Sequence, residues 1–271
     1  MRAIWVVVAG LMVSSAARAY PPYRRLAMVH YGAPVGCELC HARADSTERS
    51  AYGRAWHDKG ENESAFGPLE GGDLDGDGTR NVDEIRGGSD PNDRESTPSS
   101  PGKYAKRAQV THIPVEQLQL VAEAVERYDV VEPTLSPAQL AKLEAGLGRT
   151  ATADERLPTL YLAVRGGKPD EVLVFSHAGA GKLEVSLLLA IGTDGRARRI
   201  ALYRAGGDDG ARFQAYLRCF SGRGKDDIAR RAALECAGAS AKNATDKQLN
   251  AVIAESVRAA LWLVFTAFGA S

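Results

Sequence analysis

Two clusters in the first third of the chain have residue types and spacings that can do chemistry. Cys37-Glu38-Leu39-Cys40-His41 sets two thiols two residues apart, with an imidazole directly after the second. Thiols so spaced reach the two vinyl groups of a haem as thioethers, and the adjacent histidine lies under the iron as its proximal ligand. The pattern therefore predicts covalent haem c. Three other readings compete with it. A zinc site needs a second pair of ligands at similar spacing, but Cys219 and Cys236 lie far along the chain, seventeen residues apart. A thioredoxin-like dithiol needs a βαβ context, whereas these flanks are rich in turn formers. A plain disulfide beside an incidental histidine stays open.

The group across the iron is open too, with His57, His30 and Met28 as the candidates of the N-terminal region. Each is equally readable as a surface or packing residue. Two strong-field ligands make a haem an electron carrier, whereas a vacant position permits ligand binding or peroxide chemistry.

The second cluster is Asp73-Leu74-Asp75-Gly76-Asp77-Gly78-Thr79-Arg80-Asn81-Val82-Asp83-Glu84. Counted from Asp73, carboxylates fall at positions 1, 3, 5 and 12, Gly78 at 6 and Thr79 at 7. That register lets a loop wrap Ca²⁺ with monodentate Asp, a backbone carbonyl at 7 and a bidentate Glu. Gly78 supplies the sharp turn. Arg80 at position 8, where an aliphatic residue is usual, argues against a paired EF-hand. Asp90, in the continuation Gly87-Gly88-Ser89-Asp90-Pro91-Asn92-Asp93, can add an oxygen. The bland reading is a solvated acidic turn.

The compartment bears on both clusters. Met1-Arg2, the apolar run Ala3 to Val13 and Ala17-Arg18-Ala19 have the n-h-c order of a signal peptide cleaved after residue 19. This predicts export, to a bacterial periplasm, where haem c is attached and disulfides persist. Cys219 and Cys236 are then expected to pair. Without Arg2 and Arg18 the chain carries 32 basic and 34 acidic side chains, which excludes a strongly basic nucleic-acid binder as the default. Residues 20 to 100 hold 9 Lys/Arg against 15 Asp/Glu, and residues 101 to 271 hold 23 against 19. Opposite signs suggest two modules. Ser96-Thr97-Pro98-Ser99-Ser100-Pro101-Gly102 reads as the linker between them. The boundaries are thus a signal peptide 1–19, a module 20–95, a linker 96–103 and a module 104–271. The apolar run Ala259 to Phe268 is too short to span a bilayer and reads as a buried helix.

These sites need elements to hold them. In the first module, Ala51 to His57 reads as a short helix. In the second, apolar spacing predicts a helix over Val115 to Arg127, and Ser136-Pro137 caps another over Ala138 to Gly146. Extended segments follow at Thr159 to Arg165, Glu171 to His177, Leu183 to Ile191 and Ala197 to Tyr203, the last two joined by Gly192-Thr193-Asp194-Gly195. Helices are expected at Ala211 to Phe220, Asp226 to Glu235 and Asp246 to Phe268. The order is that of an α+β domain with an antiparallel sheet. No nucleophile triad or phosphate loop is present, and His112 and His177 read as structural.

The run Arg25-Leu-Ala-Met-Val-His-Tyr-Gly, the C-x-x-C-H motif, Ala51-Tyr-Gly-Arg-Ala-Trp and the acidic loop together resemble small bacterial mono-haem cytochromes c. The loop resembles the calcium loops of thrombospondin type 3 repeats. This resemblance covers most of residues 22 to 95. It implies that haem and Ca²⁺ act as core and staple of a piece with few apolar residues.

In the second module, Leu183 to Arg204, Phe213-Gln-Ala-Tyr-Leu-Arg-Cys-Phe-Ser-Gly-Arg and Ser256-Val-Arg-Ala-Ala-Leu-Trp-Leu resemble the FMN-binding domains related to RnfG and NqrC subunits. That family carries Ser-Gly-Ala-Thr before its last helix, where Thr is esterified by FMN. This chain departs from it with Cys236-Ala-Gly-Ala-Ser-Ala-Lys-Asn-Ala-Thr-Asp, leaving Thr245 or Ser240 for the role and placing Lys247 at the ungapped position. Non-covalent FMN at the helix start, or a Thr245 that is only a helix cap, are the alternatives. The resemblances together imply an extracytoplasmic electron-transfer protein with haem c, calcium and FMN, working with redox partner proteins of the periplasm or envelope. The alternatives are a degenerate flavin fold used for docking, and a haem enzyme acting on peroxide.

Overall fold

The computed structural model describes residues 22–44, 46, 48–109, 113–180, 183–205, 216–227 and 244–269 of the chain; side chains at 179–180, 183–184, 204–205, 244–246 and 249 are left aside. The expected signal peptide, His112, Cys236 and Ser240 lie outside these residues, as does most of the helices expected at 211–220 and 226–235.

The first module is a set of short elements. They are α1 (Pro22–Tyr31), a 3-10 turn (Cys37–Leu39), α2 (Ala51–Asp58), two further 3-10 turns (Glu63–Ala65 and Gly67–Leu69) and α3 (Asn81–Gly87). Ser50 starts α2 by accepting from the Gly53 amide, which satisfies one of the unpaired donors of a helix start. Leu26, Tyr31, Val35, Leu39, Tyr52, Trp56, Phe66, Leu69, Val82 and Ile85 form one buried cluster, with Trp56 stacked on Phe66 at 5.4 Å. The piece thus buries more protein side chain than its composition suggests, because four of these residues, Tyr31, Tyr52, Trp56 and Phe66, are large aromatics.

The second module is an α+β fold. Its five-stranded antiparallel sheet runs in the order β1 (Arg127–Val131), β2 (Leu160–Arg165), β3 (Lys168–Ala180), β4 (Leu183–Gly192), β5 (Ala197–Ala205). One face packs under α6 (Pro137–Leu147) and the long helix α8 (Ala244–Phe268), burying Leu143, Leu187, Leu189, Ile253 and Leu261 among others. Gly146 lets the two helices cross closely, since a Cβ there would lie 2.4 Å from the Trp262 ring. The opposite face carries Tyr161, Phe175, Leu188 and Tyr203 under Leu118, Val121 and Ala122. Alternation along each strand puts these two sets on opposite sides. Asn250–Phe268 is long and apolar enough to cross a membrane by length and composition, and 61% of it is buried inside the fold.

The capping box of Ser136 with Gln139, and Gly148 in the left-handed region, bound α6 where the sequence predicts a capped helix. The four expected strands and the Gly192–Gly195 hairpin form as well. The helix expected over Val115 to Arg127 does not. Only Val115–Leu118, α5, is helical, Ala124 takes φ +54, and Arg127 begins β1. Pairing of residues 127–131 with 160–164 supplies the backbone bonds that a longer helix would have made, and the apolar positions 118, 121 and 122 close over the sheet instead.

The serine- and proline-rich stretch does not hold the modules apart. Thr97 and Ser100 bridge each other, the Ser96 hydroxyl accepts from the Asp90 amide, and α4 (Tyr104–Ala108) lies back on the first module. There Arg107 pairs with Glu38 at 3.3 Å, and Arg24 donates to the Ala108 carbonyl. Near Tyr23 the two modules share apolar packing, and Arg156 of α7 (Ala153–Arg156) faces Glu63 at 3.6 Å.

Candidate functional site

Cys40 and His41 both donate from their amides to the Cys37 carbonyl, at 3.1 and 2.9 Å. The chain therefore makes one helical turn, and residues 37, 40 and 41, three and four apart, share a face of it. Both cysteines are free thiols. The turn is gripped from several sides. Ser50 donates to the Leu39 carbonyl at 2.6 Å, and its amide to the Cys40 carbonyl at 3.1 Å. Gly53 of α2 lies so close that a Cβ would come within 1.9 Å of the Cys40 carbonyl oxygen. Asn92 donates to the Leu39 carbonyl at 3.3 Å.

Burial pushes the Cys40 thiol up to about 12 and raises Cys37 as well. These are protonated thiols at neutral pH, the opposite of the lowered pKa that makes a redox dithiol reactive. Burial lowers the pKa of His41, helped by the nearby Arg49 guanidinium, so its imidazole is neutral at pH 7, the form that ligates a metal. Its Nδ1 is buried without a hydrogen-bond partner, a state that costs about 1–3 kcal/mol unless another interaction offsets it. Two protonated thiols and a neutral, under-used imidazole on one face fit the donor set of a covalent haem. The Cys37 thiol is also within electrostatic reach of Tyr161 on β2.

The three candidates for the far side of the iron are occupied differently. His30 holds Glu70 through Nε2 at 2.9 Å and lies against Phe66. His57 holds Glu61 through Nδ1 at 2.8 Å, and Glu61 also takes Arg49 at 2.6 Å. Met28 is half-buried against the aromatic cluster. Each histidine spends one ring nitrogen on its carboxylate, which orients the ring and leaves the other nitrogen, Nδ1 of His30 or Nε2 of His57, as the one that could ligate a metal.

The acidic loop closes on itself. Asp73 accepts from the Gly76 and Gly78 amides at 2.8 and 2.9 Å, Asp75 from Asp77 at 3.1 Å, and Asp77 from Thr79 at 2.6 Å. Gly76 and Gly78 take φ +77 and +97, which only glycine adopts freely. Oxygens of Asp73, Asp75 and Asp77 come within 4.8 Å of one another. Glu84, on α3, is fully buried and both its oxygens lack a partner, as do Asp75 Oδ2 and Asp77 Oδ2. Burial, then the charges of Asp75, Asp77, Asp73 and Asp90, push Glu84 up to about 8. Buried carboxylates without partners are found where a cation coordinates them. Asp90 spends Oδ1 on Asn92 at 3.0 Å, leaving Oδ2 for a cation. Two residues that the sequence pattern did not single out support the loop. Asn81 is buried and spans the Leu69 carbonyl and the Leu74 amide, and Asn92 links Asp90 to the C-x-x-C-H turn. An Asn that bridges two stretches of chain has no sequence signature of its own.

No family model matches the chain, and no curated protein and no solved structure does either.

In the second module, Thr245 lies in the first turn of α8, and its side chain is outside the description, as is Ser240. Cys219 is disulfide-bonded, and its expected partner Cys236 lies outside the described residues. His177 meets Ser186 at 3.0 Å within the sheet, and Ser176 bonds Ser256 of α8. An open cleft of about 190 Å³ lies between the β4–β5 hairpin and Phe265. Its Arg196 is paired with Asp227 and its Lys225 with Asp226, both within 2.8 Å.

Proposed function

We propose that this chain is an extracytoplasmic electron-transfer protein, carrying haem c on Cys37 and Cys40 with His41 as an axial ligand. The observation that carries the reading is the single turn that sets two protonated thiols and a neutral, half-buried imidazole three and four residues apart. Haem supplies a one-electron iron couple there. The chain's part is to hold the three donors in register through Ser50, Gly53 and Asn92, and to keep water away with Tyr31, Tyr52, Trp56 and Phe66. Calcium in the acidic loop, bound by Asp73, Asp75, Asp77, Glu84, Asp90 and the Thr79 carbonyl, is the second part of the proposal. The unpartnered oxygens of Glu84, Asp75 and Asp77 support it.

Expression of the full chain in a bacterium that matures cytochromes c tests this reading. Denatured protein is expected to retain one haem, by mass and by a haemochrome spectrum, and a Cys37→Ser/Cys40→Ser variant none. Folded wild-type protein with both thiols alkylatable, or joined as a disulfide, and no haem would overturn it. For the second module the proposal keeps FMN near Thr245, on the order of antiparallel sheet and long last helix. Flavin fluorescence of the purified protein tests it, and its absence leaves that module as a docking partner for redox proteins. A five-coordinate ferric haem that turns over peroxide would favour the enzyme instead.

A further inference from the structure

We infer that the acidic loop controls the C-x-x-C-H turn through Asn92, so that a divalent cation in the loop locks Cys37, Cys40 and His41 into their shared arrangement. This rests on the cation reading above and extends it from what the loop binds to what binding does.

Asn92 is wired to three places at once. Its Nδ2 donates to Asp90 Oδ1 at 3.0 Å, and its own amide donates to the same oxygen at 3.1 Å. Nδ2 also donates to the Leu39 carbonyl at 3.3 Å and approaches the Glu38 carbonyl at 3.5 Å. Its Oδ1 accepts from the Tyr52 amide at 2.8 Å, one of the free donors at the start of α2. The loop carboxylate Asp90, the turn between the two cysteines and the helix that covers Cys40 therefore meet on one side chain. Ser50 and Gly53 also grip the turn, but neither touches the loop.

The loop end of this link responds to charge. The charges of Asp75, Asp77, Asp73 and Asp90 all reach the buried Glu84 carboxyl, and like charges at such range repel strongly in a buried site. A cation replaces that repulsion by attraction and draws Asp90 inward. Asp90 carries Asn92, so the amide is held against the Leu39 carbonyl and against α2. Without the cation, Asp90 is pushed outward and the bond to Leu39 is the contact that gives way. The C-x-x-C turn then loses the Asn92 bond, keeps those from Ser50 and the Arg107–Glu38 pair, and opens more often, exposing two half-buried thiols.

The full-length, haem-free protein tests this, with calcium binding followed by calorimetry and alkylation of Cys37 and Cys40 by iodoacetamide followed by peptide mass at one fixed pH. Calcium is expected to slow alkylation of both thiols about tenfold relative to EGTA, the size of an ordinary coupling between sites. Asn92→Ala is expected to bind calcium yet alkylate at the fast rate with or without it. Asn92→Asp keeps the shape and the Tyr52 contact while losing the Nδ2 donor, and is expected to behave likewise if the alanine variant does not fold. Calcium bound with no change in alkylation overturns the coupling and leaves the cation site standing. A calcium effect that survives in both Asn92 variants overturns the role of Asn92. Calorimetry without calcium binding removes the cation site, and the coupling with it.

Discussion

Arg25, in the first helix, donates to the Pro133 carbonyl at 3.0 Å, and its other terminal nitrogen donates to the carbonyl of Pro158. One buried guanidinium thus ties the N-terminal helix to both ends of a segment of the second module that contains α6 and α7. Arg24 beside it donates to the Val35 carbonyl at 2.8 Å, just before the C-x-x-C-H turn. Two proline carbonyls, on residues that themselves donate no amide, are satisfied by a side chain from the other module.

Arg25→Ala leaves those carbonyls buried and unpaired. It is expected to lower the unfolding free energy by about 1–3 kcal/mol, measured by urea denaturation. Arg25→Lys is expected to recover only part of the loss, because one ammonium does not reproduce the planar fork that spans two carbonyls. An unchanged midpoint for the alanine variant would show that the modules do not depend on this contact.

Gly53→Ala places a methyl group against the Cys40 carbonyl oxygen, where backbone leaves no room. Destabilisation of about 3 kcal/mol is expected, at the upper end of ordinary overpacking. In the haem-maturing host the yield of haem-bearing protein should fall along with the melting temperature. Full yield at the wild-type melting temperature would mean that α2 does not press on the turn.

Metal removal has a pH signature. Glu84 is pushed up to about 8 in the folded chain, against roughly 4.3 for an unperturbed Glu. Between these values the metal-free native state binds a proton that the unfolded state has released, so native stability falls as pH rises. In EGTA the melting temperature is therefore expected to decline from pH 5 to pH 8, and in excess calcium the decline should vanish. Matching curves in the two conditions would rule out a cation on Glu84.

His41→Ala in haem-matured protein separates attachment from ligation. Both thioether cysteines remain, so haem should stay covalently bound by mass. If His41 ligates the iron as proposed, the visible spectrum should lose its wild-type low-spin features. An unaltered spectrum would assign that ligand elsewhere, with His30→Ala and His57→Ala as the next variants to examine.

What could be read along the chain is what depends on neighbours in sequence. The capped helix after Ser136 follows from a serine, a proline and a glutamine within four residues. The strands from Leu160 to Ala205 follow from apolar runs broken by glycine turns, and the α+β class follows from their order. Val115 to Arg127 misled because its apolar spacing suits a helix face, while the outer edge of the sheet offered residues 127–131 a ladder that spacing does not reveal. The division at the serine–proline stretch comes from composition and charge. In space, α4 lies on the module before it.

The spacing of Cys37, Cys40 and His41, and of Asp73, Asp75, Asp77 and Glu84, is a property of the sequence by itself, because one helical turn and one tight loop suffice to gather each set. The tertiary structure alone decided that Asp90, just past the acidic set, is tied to the backbone between the two cysteines by an asparagine that lies 53 residues from Leu39 and 40 from Tyr52 along the chain. It also decided that Glu84 is buried without a partner. Contacts of that kind depend on the path of the whole backbone and on which carbonyls it leaves unpaired, and no local pattern encodes either.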